Sequence, residues 1–558
     1  MKILSLQTDL PSGASLSVDG EVINAALEER FSREKNDTCF PVNAISFCLR
    51  DANLEINDID AVVLAGNGCG PARYLLTGKN KWTVRDYLRE QKEYWQPLLY
   101  GKENINADER YMSIFGNSIN YGCFGDWFRC DNILERMKSF PSERKLAVAQ
   151  VLGIGEEKVK SIDHHICHAY YSYVSSPYIG REVLCLTVDG MGDGINCSAT
   201  TISASGDIKV LSKSSNCYIG RIYRYITLVL GMKPNEHEFK VMGLAPYGKE
   251  KYSELALSVF RKTLVVDGLD FKWQVEPTDC YEWFRRELEA IRFDSIAYAL
   301  QLWVEELLCE WTRNWIVKTG IGTVVYSGGV AMNIKAMGAI SRMDCIQGFF
   351  VGGSASDETM AISAGLVYNN TVNRSFPKRL KNLYLGEDAK VKNEIAELSK
   401  DTQVSYIKDF DDDLIARLLA DDHIIGRCAG RMEFGQRALG NRSILANPTN
   451  ERNRERINKA IKSRDFWMPF APVVLDTYAD EYLVNPKKLE SPYMTLSFET
   501  TKIGRRALSA ALHPADGTAR AQILSREDNP ALYSLIEQFA SITGTGALLN
   551  TSFNLHGY

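Results

Sequence analysis

Hydrophobic and polar positions alternate near the start of the chain in the pattern of short strands. "ILSLQTD" predicts one strand, and "ASLSVDGEVINAAL" predicts two more, joined at Asp19-Gly20. A two-residue Asp-Gly connector is a strong hairpin signal. The same order returns later, with the strand "EVLCLTVDG", the loop "MGDG" and the strands of "INCSATTISASGDIKVL". The pattern predicts an α/β fold with an internal duplication, and the alternative is two unrelated hairpins.

Each half contains a strand, a glycine loop and a returning strand, which can place backbone amides around a phosphate. Asp9 and Asp189 stand at matching strand ends, where each could manage a cation or a water molecule. Two such halves suggest a cleft between them. The duplicated pattern resembles that of the actin-like ATPase superfamily.

Three of the seven histidines lie within "DHHICHAY". On a helix His164 and His168 share one face, His165 points elsewhere and Asp163 stands at the N-cap. The pair fits two metal ligands, and the alternative is a capped helix with buried, hydrogen-bonded histidines. Asp357 in "GGSASDETMAISAG" stands at the start of another predicted helix and could be a third ligand. Two histidines and one carboxylate would leave coordination positions open, as in a catalytic metal site; otherwise Asp357 is an acid favoured by the helix dipole.

Helical spacing also continues through "DSIAYALQLWVEELLCEWTRNWIVKTG", with Asp294 as the expected N-cap and an end at Gly320. The next strand leads into Ser327-Gly328-Gly329, a loop that suits a nucleotide phosphate or ribose but is also compatible with a tight turn. The aromatic stretch from about residue 71 to 128 fits a packed helical core better than a substrate lid. After Tyr368 the sequence becomes polar and basic, and we place a domain boundary between residues 370 and 371.

The amino-acid composition argues against several classes of protein. A formal charge of -5 over 558 residues argues against a dedicated nucleic-acid binder. Thirteen cysteines without a C-x-x-C pair indicate reduced thiols. Neither a secretory signal nor an apolar run of membrane-spanning length is visible, so we expect a cytoplasmic protein without a membrane partner.

A long series of motifs points to one family. The first part of the chain contains "EERFSREKND", "HHICHAYY", "VDGMGDG", "EFKVMGLAPYG", "YSGGVAMN" and "GGSASDE", and the second part contains "GRMEFGQRALGNRSILANP", "INKAIKSRDFWMPFAPVVL", "DGTARAQ" and "LLNTSFN". In this order the motifs resemble those of the NodU/CmcH-type carbamoyltransferase family. The resemblance implies an actin-like domain over residues 1–370, related to tRNA threonylcarbamoyl transferases, and a YrdC-like α/β domain over residues 371–558.

The resemblance also implies a two-step reaction. The second domain is expected to form carbamoyl adenylate from carbamoyl phosphate and ATP, and the first to transfer the carbamoyl group to a hydroxyl of a small natural product. The implied cofactors are ATP, with magnesium as its possible companion, and a divalent metal ion, expected to be iron(II). A homodimer is compatible with this prediction, and no nucleic-acid partner is expected.

Specific residues follow from the match to the family motifs. The implied metal ligands are His164, His168 and Asp357; the nucleotide cleft is lined by Ser327, Gly328, Gly329 and Asn333, with Lys240 as a catalytic residue; and ATP and carbamoyl phosphate are bound by Arg437, Lys462, Arg520, Asn550 and Ser552. Arg431 and Arg442 flank Arg437, and their guanidinium groups suit phosphates, so they join the predicted binding set. Family members usually have His-Asp after the first strand, whereas this chain has Gln7-Thr8-Asp9, which makes Asp9 the candidate for the missing catalytic role.

Two other functions remain open at this stage. A tRNA- or protein-modifying carbamoyl transferase would require a basic track across the first domain. A catalytically inactive nucleotide-binding regulatory module is the other alternative, and the intact set of His164, His168 and Asp357 argues against it.

Overall fold

The computed structural model describes residues 1–68, 81–101, 105–116, 124, 127–128, 130–389, 407 and 410–555. The chain divides into two compact units, Met1–Leu380 and Lys381–Tyr558. The first unit thus extends ten residues past the boundary placed from sequence, and its last residue, Leu380, donates its backbone N–H to Val174 O at 2.9 Å.

The first unit contains two five-stranded sheets and a two-stranded ribbon. In chain order the strands are β1 (Lys2–Gln7), β2 (Gly13–Val18), β3 (Glu21–Leu27), β4 (Ala61–Ala65), β5 (Val159–Ile162), β6 (Val183–Gly192), β7 (Ile195–Ile202), β8 (Ile208–Ser214), β9 (Leu264–Asp267), β10 (Asp270–Trp273), β11 (Thr323–Ser327) and β12 (Gly348–Val351). The strand order is β3-β2-β1-β4-β5 in one sheet and β8-β7-β6-β11-β12 in the other, and β9 pairs with β10.

The two sheets are built in the same way. In each, the first three strands pair antiparallel and the last two run parallel to the first strand. The turn that joins β2 to β3 has positive φ angles at both Asp19 and Gly20, as the predicted two-residue hairpin requires. The predicted α/β class and the predicted internal duplication are therefore confirmed.

Helices cover these sheets. In the first unit they span Glu29–Ser32, Val42–Asp51, Val84–Arg89, Gln96–Tyr100, Ala107–Phe115, Ile133–Leu152, His164–Ser175, Ile219–Val229, Glu238–Leu244, Glu250–Arg261, Cys280–Glu287, Phe293–Thr319, Ile334–Arg342 and Met360–Asn373, and a π-helical segment spans Glu90–Trp95. The helix His164–Ser175, called the histidine helix below, follows the first sheet but packs on β6 and β11 of the second. The helix Met360–Asn373 follows the second sheet but packs on β1, β2 and β4 of the first, and the two helices also pack on each other. This crossing brings the ends of both sheets together.

One predicted helix start is wrong by two residues. The long helix begins at Phe293, with Arg292 at the N-cap, so Asp294 lies inside the first turn, where it pairs with Arg292 at 2.7 Å. Its other end agrees with the prediction, because Gly320 has a φ of 73° immediately after the last helical residue.

The aromatic stretch forms a packed core. Tyr94 and Tyr111 meet edge to face with ring centroids 4.7 Å apart, and Phe124 lies 4.9 Å from Phe140. All four side chains are buried. For the part of this stretch that the structure describes, the packed-core interpretation is correct; residues 69–80, 102–104, 117–123 and 125–126 lie outside it.

The second unit is a mixed five-stranded sheet with helices. Its strands are β13 (Ile425–Cys428), β14 (Arg442–Ala446), β15 (Ala471–Leu475), β16 (Gln522–Leu524) and β17 (Ala547–Ser552), in the order β13-β14-β17-β15-β16. Its helices span Asp412–Ala420, Glu451–Ile457, Asp476–Tyr482, Lys502–Ala507 and Pro530–Thr543, and a second π-helical segment spans Asn458–Lys462. Among the described residues of both units, no helix combines the length and apolar character needed to cross a bilayer.

Candidate metal centre and anion site

The histidine helix begins at a network of carboxylates. Asp163 is its N-cap, as predicted, and accepts the Ile166 N–H at 3.0 Å. Asp193, in the β6–β7 hairpin, accepts the His164 N–H at 2.8 Å and the backbone N–H groups of Asn67 and Gly68, which follow β4. One side chain thus joins the helix start to the ends of strands from both sheets.

Four side chains converge at the start of this helix. His164, His168, Asp189 and Asp357 each offer one nitrogen or oxygen, and these atoms lie within 4.8 Å of one another. His164 Nε2 is 3.1 Å from His168 Nε2 and 3.1 Å from Asp189 Oδ2, and His168 Nε2 is 3.2 Å from Asp357 Oδ1. Ligands about 2.1 Å from one divalent ion lie about 3.0–3.4 Å apart. The spacing and the donor types therefore fit a single divalent cation, with two neutral imidazoles and two carboxylates around it.

A glycine makes room for one of these imidazoles. A Cβ atom on Gly192 would overlap the ring of His164, whereas one on Gly190 would meet no atom within 4 Å. The motif "VDGMGDG" therefore combines three tasks: Asp189 joins the cluster, Gly192 leaves space for the imidazole and Asp193 holds the helix start.

The pKa values of the cluster residues also favour a bound cation. Burial by itself would lower the pKa of His164, but the carboxylates of Asp357 and Asp189 outweigh it and raise that pKa to about 9. Burial and the neighbouring charge of Asp189 raise the pKa of Asp357 well above its usual range. Burial opposes ionisation of Asp189, yet its hydrogen bond to His164 holds its pKa well below the usual value. A divalent ion would compensate both carboxylates directly.

The third histidine has a structural role. His165 lies on another side of the helix, as predicted, with Nδ1 2.7 Å from Thr187 Oγ1 and Nε2 3.3 Å from Ile195 O. Burial and the nearby charge of His164 lower its pKa to about 3, so it is neutral. One histidine of the motif is thus a buried, hydrogen-bonded core residue, while the other two belong to the cluster.

The residues predicted to line a nucleotide cleft lie close to the cluster or cap a helix. Ser327 and Gly329 contact it directly, through His168 Nδ1 at 3.2 Å and Asp189 Oδ1 at 2.8 Å. Gly328 has a φ of 94°. Asn333 caps the helix Ile334–Arg342 through the Ala336 N–H at 3.1 Å and exchanges hydrogen bonds with Gln301.

The two predicted catalytic residues lie in different surroundings. The charge of Asp9 makes the smallest of the contributions to the raised pKa of Asp357, and Asp9 Oδ1 accepts the Leu10 N–H at 2.8 Å. Lys240 is half-buried in the helix Glu238–Leu244, which packs against the long helix Phe293–Thr319.

In the second unit, two cationic side chains contact the end of β17. Lys462 is buried, and its Nζ donates to Ser552 and Asn554, with distances of 2.7 Å to Asn554 O and 2.8 Å to Asn554 Oδ1. Arg464 donates to Thr551 Oγ1 at 3.1 Å and lies over the ring of Phe470. Within the described part of the chain, no carboxylate forms an ion pair with Lys462, Arg464 or Arg520.

The charges of these cations lower one another's pKa. Burial and the charge of Arg464 lower the pKa of Lys462 to about 7. Burial and the charge of Arg437 lower the pKa of Arg464 to about 10, and burial followed by Arg437 and Arg464 lowers that of Arg520 well below its usual value. Like charges gathered in a partly buried place favour an anion in the remaining space.

Two further residues of the predicted set lie on one face of β17. Ser552 Oγ contacts Lys462 Nζ at 3.1 Å, and Asn550 stands two residues earlier, so both side chains face the same way. Asn550 Nδ2 donates to Ala438 O at 3.1 Å, beside Arg437, while its buried Oδ1 accepts no hydrogen bond from the residues that the structure describes. A buried acceptor next to a cluster of donors suits a ligand that carries both an N–H group and an anionic group.

Arg431 and Arg442 contact backbone carbonyls instead. Arg431 Nη2 donates to Leu385 O at 2.9 Å, and Arg442 donates to the carbonyls of Ala429, Asn441 and Glu387. Between them, buried Glu433 accepts the backbone N–H groups of Leu439, Asn441 and Arg442 through Oε1. Glu433 therefore closes the segment 434–441, which contains Arg437 and is called the arginine loop below.

Sequence reasoning missed two members of these sites. Asp189 was recognised only as a strand-end acid for a cation or water, although it is the fourth member of the cluster. Arg464 stands two residues after Lys462 in the motif "INKAIKSRDFWMPFAPVVL". The K-x-R spacing in this motif is the sequence feature that could have predicted a second cation at the site. The backbone explains why the second position matters, since the π-helical segment ends at Lys462 and Ser463 has a φ of 43°, so the chain turns between the two cations.

Comparison with known proteins agrees with this division of sites. The family model described as "Carbamoyltransferase N-terminus" matches residues 2–366, and "Carbamoyltransferase C-terminus" matches residues 416–558. The nodulation protein NolNO of Sinorhizobium fredii is 30% identical over 99% of this chain and 76% of that protein. An uncharacterized protein of Methanocaldococcus jannaschii is 29% identical, covering 84% of this chain and 80% of its own length.

A solved structure shows a weaker likeness. Component A of (R)-2-hydroxyglutaryl-CoA dehydratase from Acidaminococcus fermentans is 13% identical, with a TM-score of 0.34, over 66% of this chain and 98% of that one. The family assignment depends on the sequence matches, which together include both clusters described above. The chain belongs to the carbamoyltransferase family of the NodU/CmcH type, and it is a transferase.

Proposed function

We propose that the protein is an ATP-dependent O-carbamoyltransferase that activates the carbamoyl group in the second unit and transfers it in the first. The observation that carries the proposal is the group of Lys462, Arg464 and Arg520, for which the described residues provide no carboxylate partner. The charge of Arg437 acts on Arg464 and Arg520, and the buried Oδ1 of Asn550 accepts no hydrogen bond from a described residue. Its donors suit the phosphates of ATP and carbamoyl phosphate, and the amide oxygen suits the carbamoyl NH₂ group. A YrdC-like assignment of this unit is part of the proposal.

In the first step, water hydrolyses carbamoyl phosphate to carbamate and inorganic phosphate, and a carbamate oxygen then attacks the α-phosphorus of ATP. The new P–O bond forms carbamoyl adenylate as the bond to pyrophosphate breaks. Arg437, Arg464 and Arg520 hold the phosphates in line and stabilise the charge that develops on their oxygens. Lys462 adds a point charge, and an anion bound beside it would favour its protonated form, because its own pKa is lowered to about 7.

In the second step, the acceptor hydroxyl attacks the carbamoyl carbon of the adenylate, and AMP leaves with the electrons of the broken C–O bond. Asp9 is the proposed base, because its charge acts on Asp357 and a carboxylate can accept the hydroxyl proton through Oδ2 while Oδ1 holds the Leu10 N–H. His164, His168, Asp189 and Asp357 would hold a divalent ion, for which we propose iron(II). When bound, the ion supplies Lewis acidity toward the carbamoyl oxygen or the phosphate.

The nucleotide part of the first step's product needs a place in the first unit. The actin-like architecture, which the duplicated sheet order supports, suggests the space beside the Ser327–Gly329 turn. We propose Lys240, in the helix Glu238–Leu244, as a contact for the adenylate phosphate. The proposed acceptor is a hydroxyl of a small natural product.

The test is pyrophosphate release by the purified protein in the presence of ATP, with and without carbamoyl phosphate. We expect release that requires carbamoyl phosphate and that falls at least about a hundredfold in Arg464→Met, because a charge-assisted contact to phosphate is lost. Arg526→Met is the matched control, since Arg526 also lies over an aromatic ring, Tyr533, but is exposed and pairs with Glu537. Release that is independent of carbamoyl phosphate, or equal in both variants, would exclude the proposal.

A further inference from the structure

The turn Ser327–Gly329, called the S-G-G turn below, contacts all three segments that build the metal cluster: the histidine helix, the end of β6 with Asp189 and the loop before Asp357. Ser327 is fully buried, and its Oγ lies 3.2 Å from His168 Nδ1 and 3.2 Å from Ala355 O. Gly329 donates its N–H to Asp189 Oδ1 at 2.8 Å. Ala355 O, two residues before Asp357, also accepts the Gly328 N–H at 2.7 Å.

The hydroxyl of Ser327 determines which nitrogen of His168 bears a hydrogen. A serine hydroxyl has one hydrogen, and the carbonyl oxygen of Ala355 can only accept, so that hydrogen is donated to Ala355. Ser327 Oγ must then accept from His168, which places the imidazole hydrogen on Nδ1. Nε2 is left with its lone pair, and it is Nε2 that lies 3.1 Å from His164 Nε2 and 3.2 Å from Asp357 Oδ1.

The two glycines are required by the same packing. Gly328 has a φ of 94°, and a Cβ atom there would overlap Val188 O, next to Asp189. A Cβ on Gly329 would stand 2.9 Å from Asp189 Oδ1, the oxygen that its own N–H holds. Asp189 Oδ2 is thereby turned toward His164, at 3.1 Å. The turn therefore fits against the end of β6 only if positions 328 and 329 have no side chain.

We infer that the S-G-G turn is a positioning element of the metal centre, in which Ser327 fixes the Nδ1–H tautomer of His168 and Gly329 aims Asp189. This role goes beyond nucleotide contact, and it rests on the proposed metal function of the cluster. Partners of metal-ligating side chains orient the ligands, and their removal typically weakens metal binding about 10- to 100-fold.

The first test is Co²⁺ titration of metal-stripped protein, followed by calorimetry and by the visible absorption of the bound ion. Ser327→Ala is expected to bind Co²⁺ about 10- to 100-fold more weakly with an altered absorption band, and Ser327→Cys, whose thiol is a weaker partner, should lie between it and the wild type. Ser172→Ala is the matched control, because Ser172 is equally buried in the histidine helix but its Oγ bonds Ala169 O in the same helix. Equal Co²⁺ affinity and spectrum in wild type and Ser327→Ala would overturn the inference while leaving the metal centre in place.

The second test needs no variant and holds even if Ser327→Ala fails to fold. In Zn²⁺-loaded wild-type protein labelled with ¹⁵N-histidine, His168 should carry its hydrogen on Nδ1 and bind the metal through Nε2. Metal bound through Nδ1 of His168 would overturn this inference but not the proposed metal centre. Failure of the wild type to bind Co²⁺ or Zn²⁺ would overturn both the proposed metal centre and this inference.

Discussion

Single residues decide whether the metal cluster can form, and Gly192 illustrates how. The imidazole of His164 occupies the space that a side chain at position 192 would need. The His164 backbone N–H donates to Asp193 at 2.8 Å, and the ring contacts Asp189 at 3.1 Å, so both parts of the residue have a partner in this place. Backbone and side chain thus fix His164 together.

Gly192→Ala should therefore displace the His164 ring and weaken Co²⁺ binding by at least about tenfold, since a displaced ligand weakens the whole site. Calorimetric titration of metal-stripped protein measures this. Gly190→Ala is the control, because a Cβ at position 190 meets no atom within 4 Å and Gly190 is outside the positive-φ set. Equal affinities in the two variants would show that Gly192 has no steric role.

The raised pKa of His164 predicts how metal binding depends on pH. In the metal-free protein His164 keeps its proton up to about pH 9, instead of 6.5, and it must lose that proton to bind a metal. Co²⁺ affinity should rise up to about tenfold per pH unit on approaching pH 9 and level off above it. The same shift stabilises the metal-free fold below the unfolded pKa, and that contribution is lost as pH rises through about 9.

Measuring the Co²⁺ affinity at several pH values, with the matching proton release, checks this prediction. His165→Gln serves as a control, because His165 is neutral and faces Thr187, so the slope should persist in that variant. A wild-type affinity that does not change between pH 7 and pH 9 would contradict the assigned protonation of His164.

At the scale of secondary-structure elements and loops, a whole segment determines where a side chain lies, and the arginine loop is an example. Arg437 lies on a segment without regular structure, so its position depends on what closes that segment. Glu433 does so by accepting three backbone N–H groups within one buried space. Phe434 adds a backbone bond to Leu383 O at 2.7 Å.

Glu433→Gln keeps an acceptor but removes the charge that strengthens these bonds. We expect a loss of about 1–3 kcal/mol in the free energy of unfolding and weaker binding of carbamoyl phosphate, because Arg437 is no longer held. Denaturant unfolding and calorimetry measure the two effects. Glu451→Gln, which removes an exposed carboxylate 3.5 Å from Arg454, should cost less than about 0.5 kcal/mol. Unchanged stability and binding in Glu433→Gln would contradict the closing role.

Local sequence patterns predicted many features of the individual helices and turns. The i, i+4 spacing of His164 and His168, the N-cap at Asp163 and the hairpin at Asp19-Gly20 depend on neighbours in sequence, and all three are present in the structure. The role of Ser327 could not be predicted in this way, because the side chain it contacts lies 159 positions away. Arg442 is a residue type that binds phosphate, but its side chain donates to the backbone carbonyls of Ala429 and Glu387. No local pattern in the sequence predicts these contacts.

At the scale of the whole molecule, the duplicated sheets and the mixed sheet provide two separate chemical environments. The first unit gathers carboxylates and imidazoles that suit a cation, and the second gathers cations that suit an anion. Sequence predicted the duplication because both halves repeat one strand and turn order. The assembly of each cluster depends on long-range packing: residue types and spacing suggested His164, His168 and Asp357 as joint ligands, whereas most of the cation set followed from the motif resemblance.

The two environments predict separable losses of function. His168→Ala removes a cluster member in the first unit and should abolish carbamoyl transfer to an acceptor while pyrophosphate release stays within about threefold of wild type. Arg464→Met should lose both, because no activated carbamoyl group is formed. Loss of pyrophosphate release in His168→Ala, in a variant that remains folded by circular dichroism, would contradict the division.

The most direct measurement is the ³¹P NMR spectrum of wild-type protein incubated with ATP and carbamoyl phosphate. Adenylate chemistry breaks the bond between the α- and β-phosphorus atoms, so the account predicts pyrophosphate together with carbamoyl adenylate or the AMP that its hydrolysis leaves, all dependent on carbamoyl phosphate. Formation of ADP and inorganic phosphate from ATP, without pyrophosphate, would show cleavage at the γ-phosphate and contradict the proposed activation of the carbamoyl group.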